Sequence, residues 1–94
     1  MSNHAVPTVQ TDNERTRVTK WRFAPGATTT YHTHEYDYVI VPITTGTLGL
    51  TGPGGEEKFA ALEAGVSYWR EAGVEHDVRN ANDFEFSFVE VEFK

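Results

Sequence analysis

The sequence predicts an all-β protein, a sandwich or small barrel of seven or eight short strands. Three observations carry that expectation. Aromatic residues make up 13% of the chain and Val and Thr are abundant, and these are the side chains that fit a pleated, half-buried surface. Eight glycines and four prolines punctuate the strand-forming runs at close spacing. No stretch holds a convincing helical period: the best candidate, Glu56–Glu63, lacks an N-cap and lies between two glycine clusters.

Residues 1–13 are polar and aperiodic and read as an N-terminal arm, with one edge-strand contact around Val6–Val9, ahead of a single domain over residues 14–94. Arg15–Phe23 is a first strand, stopped at Ala24-Pro25-Gly26 because proline lacks the N–H that a ladder needs. Thr28–Thr45 is a long extended run, apolar from Val39 to Ile43, with a bend or bulge expected at Pro42 before Gly46 turns the chain. Thr47–Thr51 and Glu57–Leu62 pair as a hairpin through Gly52-Pro53-Gly54-Gly55. Val66–Arg70 is a short strand, Ala72-Gly73 a turn, and Val74–Asn80 is extended again. Phe84–Phe93 closes the chain. Phe84, Phe86 and Phe88 share one parity there and Val89, Val91 and Phe93 the other, so either a bulge at Phe88-Val89 exchanges the faces or both faces are covered. Glu90 and Glu92, with Glu85, read as the solvated face of that strand.

A chain of 94 residues has room for one small core, and with no cysteine it cannot be a disulfide scaffold. A formal charge of −6 argues against a nucleic-acid partner. The first residues hold neither a basic region nor an apolar run, and no run of apolar residues is long enough to span a bilayer, so the expectation is a cytoplasmic protein without a membrane partner. No serine stands in a nucleophile elbow and no glycine-rich loop opens a helix, which sets aside hydrolase triads and nucleotide folds.

The chemistry concentrates in three histidines. His32 and His34 are two residues apart, so in a strand they project to one face, and His76 supplies a third imidazole. Neutral imidazoles bind divalent Fe, Ni, Mn, Zn or Cu, and three of them leave positions open for water, dioxygen or substrate. If the strand stays regular, the same parity carries Tyr36 and Tyr38 onto the histidine face and turns Glu35 and Asp37 away. Tyr38 is then the phenol nearest the open positions and the candidate catalytic residue, with Tyr36 a candidate substrate contact. The charge of a dication on neutral ligands favours an anionic substrate or a lowered phenol pKa. Arg70 could clamp a substrate carboxylate or make a surface ion pair, and Trp69, on the other parity, could wall the pocket or serve as a packing or dimer contact. Asn80 reads as a structural turn cap.

These residues resemble the two motifs of the cupin superfamily. The first, a glycine, five residues, His-x-His, three or four residues, a glutamate, six residues and a glycine, stands here as Gly26-ATTTY-His32-Thr33-His34-EYD-Tyr38 and ends at Gly46. The glutamate is missing; its slot is Tyr38 with three spacers and Val39 with four. The second motif stands as Gly65-VSYWR-Glu71-Ala72-Gly73-VE-His76-DVR-Asn80, departing only where Glu71 replaces a proline. HTHEYDYVIVP with GVEHDVRN is most similar to a subgroup of very small bacterial cupins, some encoded with β-alanine and polyamine catabolism. The resemblance implies a double-stranded β-helix (jelly-roll) barrel holding one divalent transition metal on His32, His34 and His76. A homodimer is expected because it would cover edge strands and extend a small core. It implies a metal-dependent enzyme acting on a small organic acid or 1,3-dicarbonyl, Fe(II) dioxygenase chemistry first and lyase or isomerase chemistry second. The alternative is a non-catalytic metal or small-ligand binding module.

Overall fold

Residues 3–94 are described by a computed structural model in which the chain forms nine strands and, among the described residues, no helix. The strands are β1 (Val6–Asp12), β2 (Thr16–Phe23), β3 (His32–Thr33), β4 (Asp37–Pro42), β5 (Gly46–Thr51), β6 (Glu57–Leu62), β7 (Tyr68–Arg70), β8 (Glu75–Asn80) and β9 (Phe86–Phe93). They make a five-stranded sheet in the order β1-β2-β9-β4-β7 and a four-stranded sheet in the order β3-β8-β5-β6, with every strand pair antiparallel.

The inward faces of the two sheets close on Phe23, Tyr38, Leu48 and Phe86, all fully buried, with the Phe23 and Phe88 ring centroids 5.4 Å apart. One end of this core is tied by an amide. Asn80, itself fully buried, donates from Nδ2 to the carbonyls of Phe23, Ala24 and Phe84, and its Oδ1 accepts from the backbone and side-chain nitrogens of Asn82. The Asn82 amide packs so close to Gly46 that a Cβ there would lie 2.9 Å from it, which is why the turn into β5 takes glycine.

Three departures from the sequence expectations matter for the site. The run Thr28–Thr45 is not one strand: the ladder breaks after Thr33 and resumes at Asp37, because the His34 amide donates to the Val74 carbonyl and its carbonyl accepts from Gly73. In β9 the register against β2 is unbroken, with no bulge, so Phe86, Phe88, Glu90 and Glu92 all face inward while Val89 and Val91 lie half-buried on the outer side. Glu90 and Glu92 are therefore not a solvated face; they are 7% and 6% exposed. Finally, the edge contact expected at Val6–Val9 extends through Asp12 as β1, exposed along its length, with a register shift between Val9 and Thr11. No helix among the described residues is long and apolar enough to cross a membrane.

Candidate metal centre

Antiparallel pairing of β3 with β8 places His32 directly opposite His76, and the backbone beyond β3 swings His34 in beside them. Nε2 of His34 lies 3.0 Å from Nε2 of His32 and 3.0 Å from Nε2 of His76. The opposite edges of the rings explain which atoms converge. His32 Nδ1 donates at 2.9 Å to the Thr30 carbonyl, which leaves its Nε2 as a lone pair; Thr30 itself holds a left-handed backbone (φ 68°), costly for a β-branched residue. His34 Nδ1 lies on the edge of its ring away from the cluster, 3.6 Å from Glu90 Oε2, which leaves Nε2 as the nitrogen that faces the other two histidines.

Ring nitrogens facing one another at 3.0 Å are held together by a shared proton or by a cation between them. Nitrogens about 2.1 Å from one metal at right angles would stand about 3.0 Å apart, against about 3.4 Å at the tetrahedral angle. The two short separations in this cluster fit the former, and the donor set suits a divalent transition metal. Burial first, and then the neighbouring His32, holds His34 down at about 4 and His76 at about 3, so both imidazoles are neutral and ready to ligate at physiological pH.

The cluster lines a cavity of about 530 Å³, a size for a small metabolite, with Ile40, Leu48 and Phe88 among its apolar walls. Tyr38 is stacked on His34, ring centroids 3.9 Å apart and planes 16° from parallel, and its buried hydroxyl finds no hydrogen-bond partner among the described residues. Burial raises the phenol above its ordinary range, so it is a donor rather than a base. Arg70 lies on the cavity wall, directly opposite Tyr38 in the β4–β7 ladder, its guanidinium carbon 5.3 Å from the Tyr68 ring centroid. It makes no ion pair among the described residues.

His32, His34, His76, Tyr38 and Arg70 are thus brought together, whereas Trp69 and Tyr36 are not. Trp69 is 52% exposed on the opposite side of β7, its ring 5.7 Å from that of Phe93, as its parity against Arg70 dictates. Tyr36 falls in the break between β3 and β4, where two-residue parity no longer holds; Glu35 lines the cavity instead. Sequence reasoning missed Glu90 and its partner Trp21, whose Nε1 donates to Glu90 Oε1 at 3.4 Å. The signal was present in the even parity of Phe86 and Phe88, which continues unbroken to Glu90 and Glu92. Glu92 is engaged by Arg17 through two bonds of 2.8 and 2.9 Å. Burial, then the charge of Glu92, pushes the Glu90 carboxyl up to about 7.

Two facing sheets, a histidine cluster between them and the motif glycines Gly26, Gly65 and Gly73 at turns define a class of protein. Residues 19–92 match the family model described as the Cupin domain, and the chain belongs to that family, with its double-stranded β-helix fold. Over 90 residues it is 58% identical to the β-alanine degradation protein BauB of Pseudomonas aeruginosa, across 96% of this chain and 94% of that protein. It superposes with a TM-score of 0.96 and 54% identity on the crystal structure of a cupin domain from Bordetella pertussis Tohama I, covering 100% of this chain and 97% of that one. An RmlC-like cupin family protein from Methanocaldococcus jannaschii shares the fold at 16% identity, with a TM-score of 0.78 over 98% of this chain and 82% of that one.

Proposed function

We propose that this cupin binds one divalent transition metal through His32, His34 and His76 and acts as a metal-dependent enzyme on a small anionic organic acid or dicarbonyl metabolite. The observation that carries the reading is the convergence of the three Nε2 atoms on a cavity that also holds an unpaired arginine and an unpartnered phenol. When bound, the metal supplies Lewis-acid polarisation of a substrate oxygen, and iron would add oxidative chemistry. The chain does the rest. Arg70 clamps the substrate carboxylate, the Tyr38 hydroxyl donates a hydrogen bond to a substrate oxygen, and Ile40, Leu48 and Phe88 keep the cavity short of water. Dioxygenase-like chemistry is the first expectation, lyase or isomerase chemistry the second. The relative named for β-alanine degradation supports a small ligand bearing a carboxylate, as β-alanine does, of a size that such a cavity can hold.

Elemental analysis of protein purified without nickel resin, beside His76→Ala, tests the site: near-stoichiometric metal lost in the variant is expected, and no uptake in either sample after reconstitution overturns it. One observation favours a second reading, a binding or sensing module. The motif glutamate is replaced by Tyr38, a phenol that burial keeps protonated, so that position offers no carboxylate base. Oxygen uptake with Fe(II) across a panel of small acids separates the two, tight binding without turnover supporting the module. The outer-face residues Val39, Val91, Trp69 and Phe93 support a homodimer, and the cysteine-free acidic chain a cytoplasmic location.

A further inference from the structure

We propose that Glu90 is a positioning residue of the metal centre, supplying from behind His34 the carboxylate that the Tyr38 slot lacks. The proposal rests on the reading that the three histidines hold a divalent metal. His34 is the vertex of the cluster, its Nε2 standing 3.0 Å from that of each other histidine, so the orientation of this one ring sets the whole donor set. Stacking on Tyr38 fixes the plane of the ring. Stacking does not fix rotation within that plane, nor which nitrogen carries the proton. The edge contact bears on both: Glu90 Oε2 is 3.6 Å from Nδ1, too long for a full hydrogen bond but close enough that the carboxyl, once ionised beside a bound dication, repels a lone pair on Nδ1 and attracts an N–H.

Among the described residues Glu90 has one hydrogen-bond partner, Trp21. Its Oε1 accepts from the indole Nε1, which aims the other oxygen at His34. Its neighbour on the same face, Glu92, has both oxygens taken by Arg17, so Glu90 is the buried carboxylate of the wall left facing an imidazole. Three neutral imidazoles leave a dication's full charge in a buried place. A carboxylate across one ring offsets part of it and makes that imidazole a better donor, the arrangement by which outer carboxylates tune metal affinity.

The test titrates Co(II) into the metal-free full chain against a chelator and records the Co(II) absorption bands. Glu90→Gln keeps the shape and the acceptor for Trp21 but loses the charge; about 10–100-fold weaker Co(II) binding with shifted bands is expected, at unchanged strand content by circular dichroism. Glu90→Asp, which keeps a carboxylate set back from the ring, should fall between. Trp21→Phe removes the indole contact alone and should stay within a few-fold of wild type. Wild-type affinity and bands in Glu90→Gln would overturn the proposal, as would equal losses in Glu90→Gln and Trp21→Phe, which would make the carboxylate a packing partner only. A wild-type chain that takes up no Co(II) would remove the metal reading itself and this proposal with it.

Discussion

The Tyr38 hydroxyl is buried with no hydrogen-bond partner among the described residues, a state that costs about 1–3 kcal/mol while it lasts. Tyr38→Phe keeps the ring on His34 and removes the orphan group, so the metal-free protein should melt no lower than wild type. Binding of a small dicarboxylate such as malonate should weaken several-fold. Calorimetric scans and titrations read both effects, and a lower melting point with unchanged binding would contradict the assignment. The buried titrating groups also set a pH profile for the chelator-treated protein. Between about pH 4.5 and 6.5 the unfolded chain carries a proton on each of His34 and His76 and none on Glu90, whereas the folded chain carries none on the histidines and one on Glu90. The unfolded state thus holds two protons against one, and stability should rise with pH across that window. Above about 6.5 only the raised Glu90 carboxyl still differs, the folded state holds the extra proton, and stability should slip slightly toward pH 7. Thermal melts check the sign, and Glu90→Gln should steepen the rise.

Strand β9 shows how one element carries both the core and the site. Its inward face presents phenyl rings from Phe86 and Phe88 to the closed end of the barrel and carboxylates from Glu90 and Glu92 to the end that holds the histidines. The composition of the strand was legible as strand; parity alone pointed its polar end inward but did not decide it, because a charged residue is buried only when a partner awaits it. Those partners, Arg17, Trp21 and His34, come from β2 and from the segment after β3. The strand break after Thr33 was illegible for a similar reason: the bonds that make it run to Gly73 and Val74, some forty residues away. At the closed end, Asn80 serves three carbonyls from two other segments, and Asn80→Ala would orphan them. A loss of about 1–3 kcal/mol or more is expected in urea unfolding, with the metal affinity of the folded fraction little changed.

For the molecule as a whole, a metal held by the three histidines would also be a source of stability. A ligand that binds only the folded state adds about 2.7 kcal/mol at a hundred times its dissociation constant, so Zn(II) or Co(II) should raise the melting temperature of wild type and leave His76→Ala unmoved. The outer side of the five-stranded sheet makes a second prediction at this scale. Trp69 stacks on Phe93, and Val39 and Val91 lie in register beside Trp69. Sedimentation should find a dimer, and Trp69→Glu should shift it to monomer; a wild-type monomer at micromolar concentration would set the homodimer aside.

Strand order along the chain, the turns, the cupin family and the three histidines were all determined by local chemistry that a sequence displays: two-residue periodicity, proline's missing donor, glycine's freedom and motif spacing. What only the tertiary structure decided is which of a strand's two faces is interior, and where the ladder breaks. That choice moved Trp69 and Tyr36 off the cavity, placed Arg70 on its wall, and buried Glu90 against His34. Facing is set by which partner strand lies across the barrel, and the pairings of β2 and β4 with β9 and of β3 with β8 join residues so far apart in sequence that no local pattern records them.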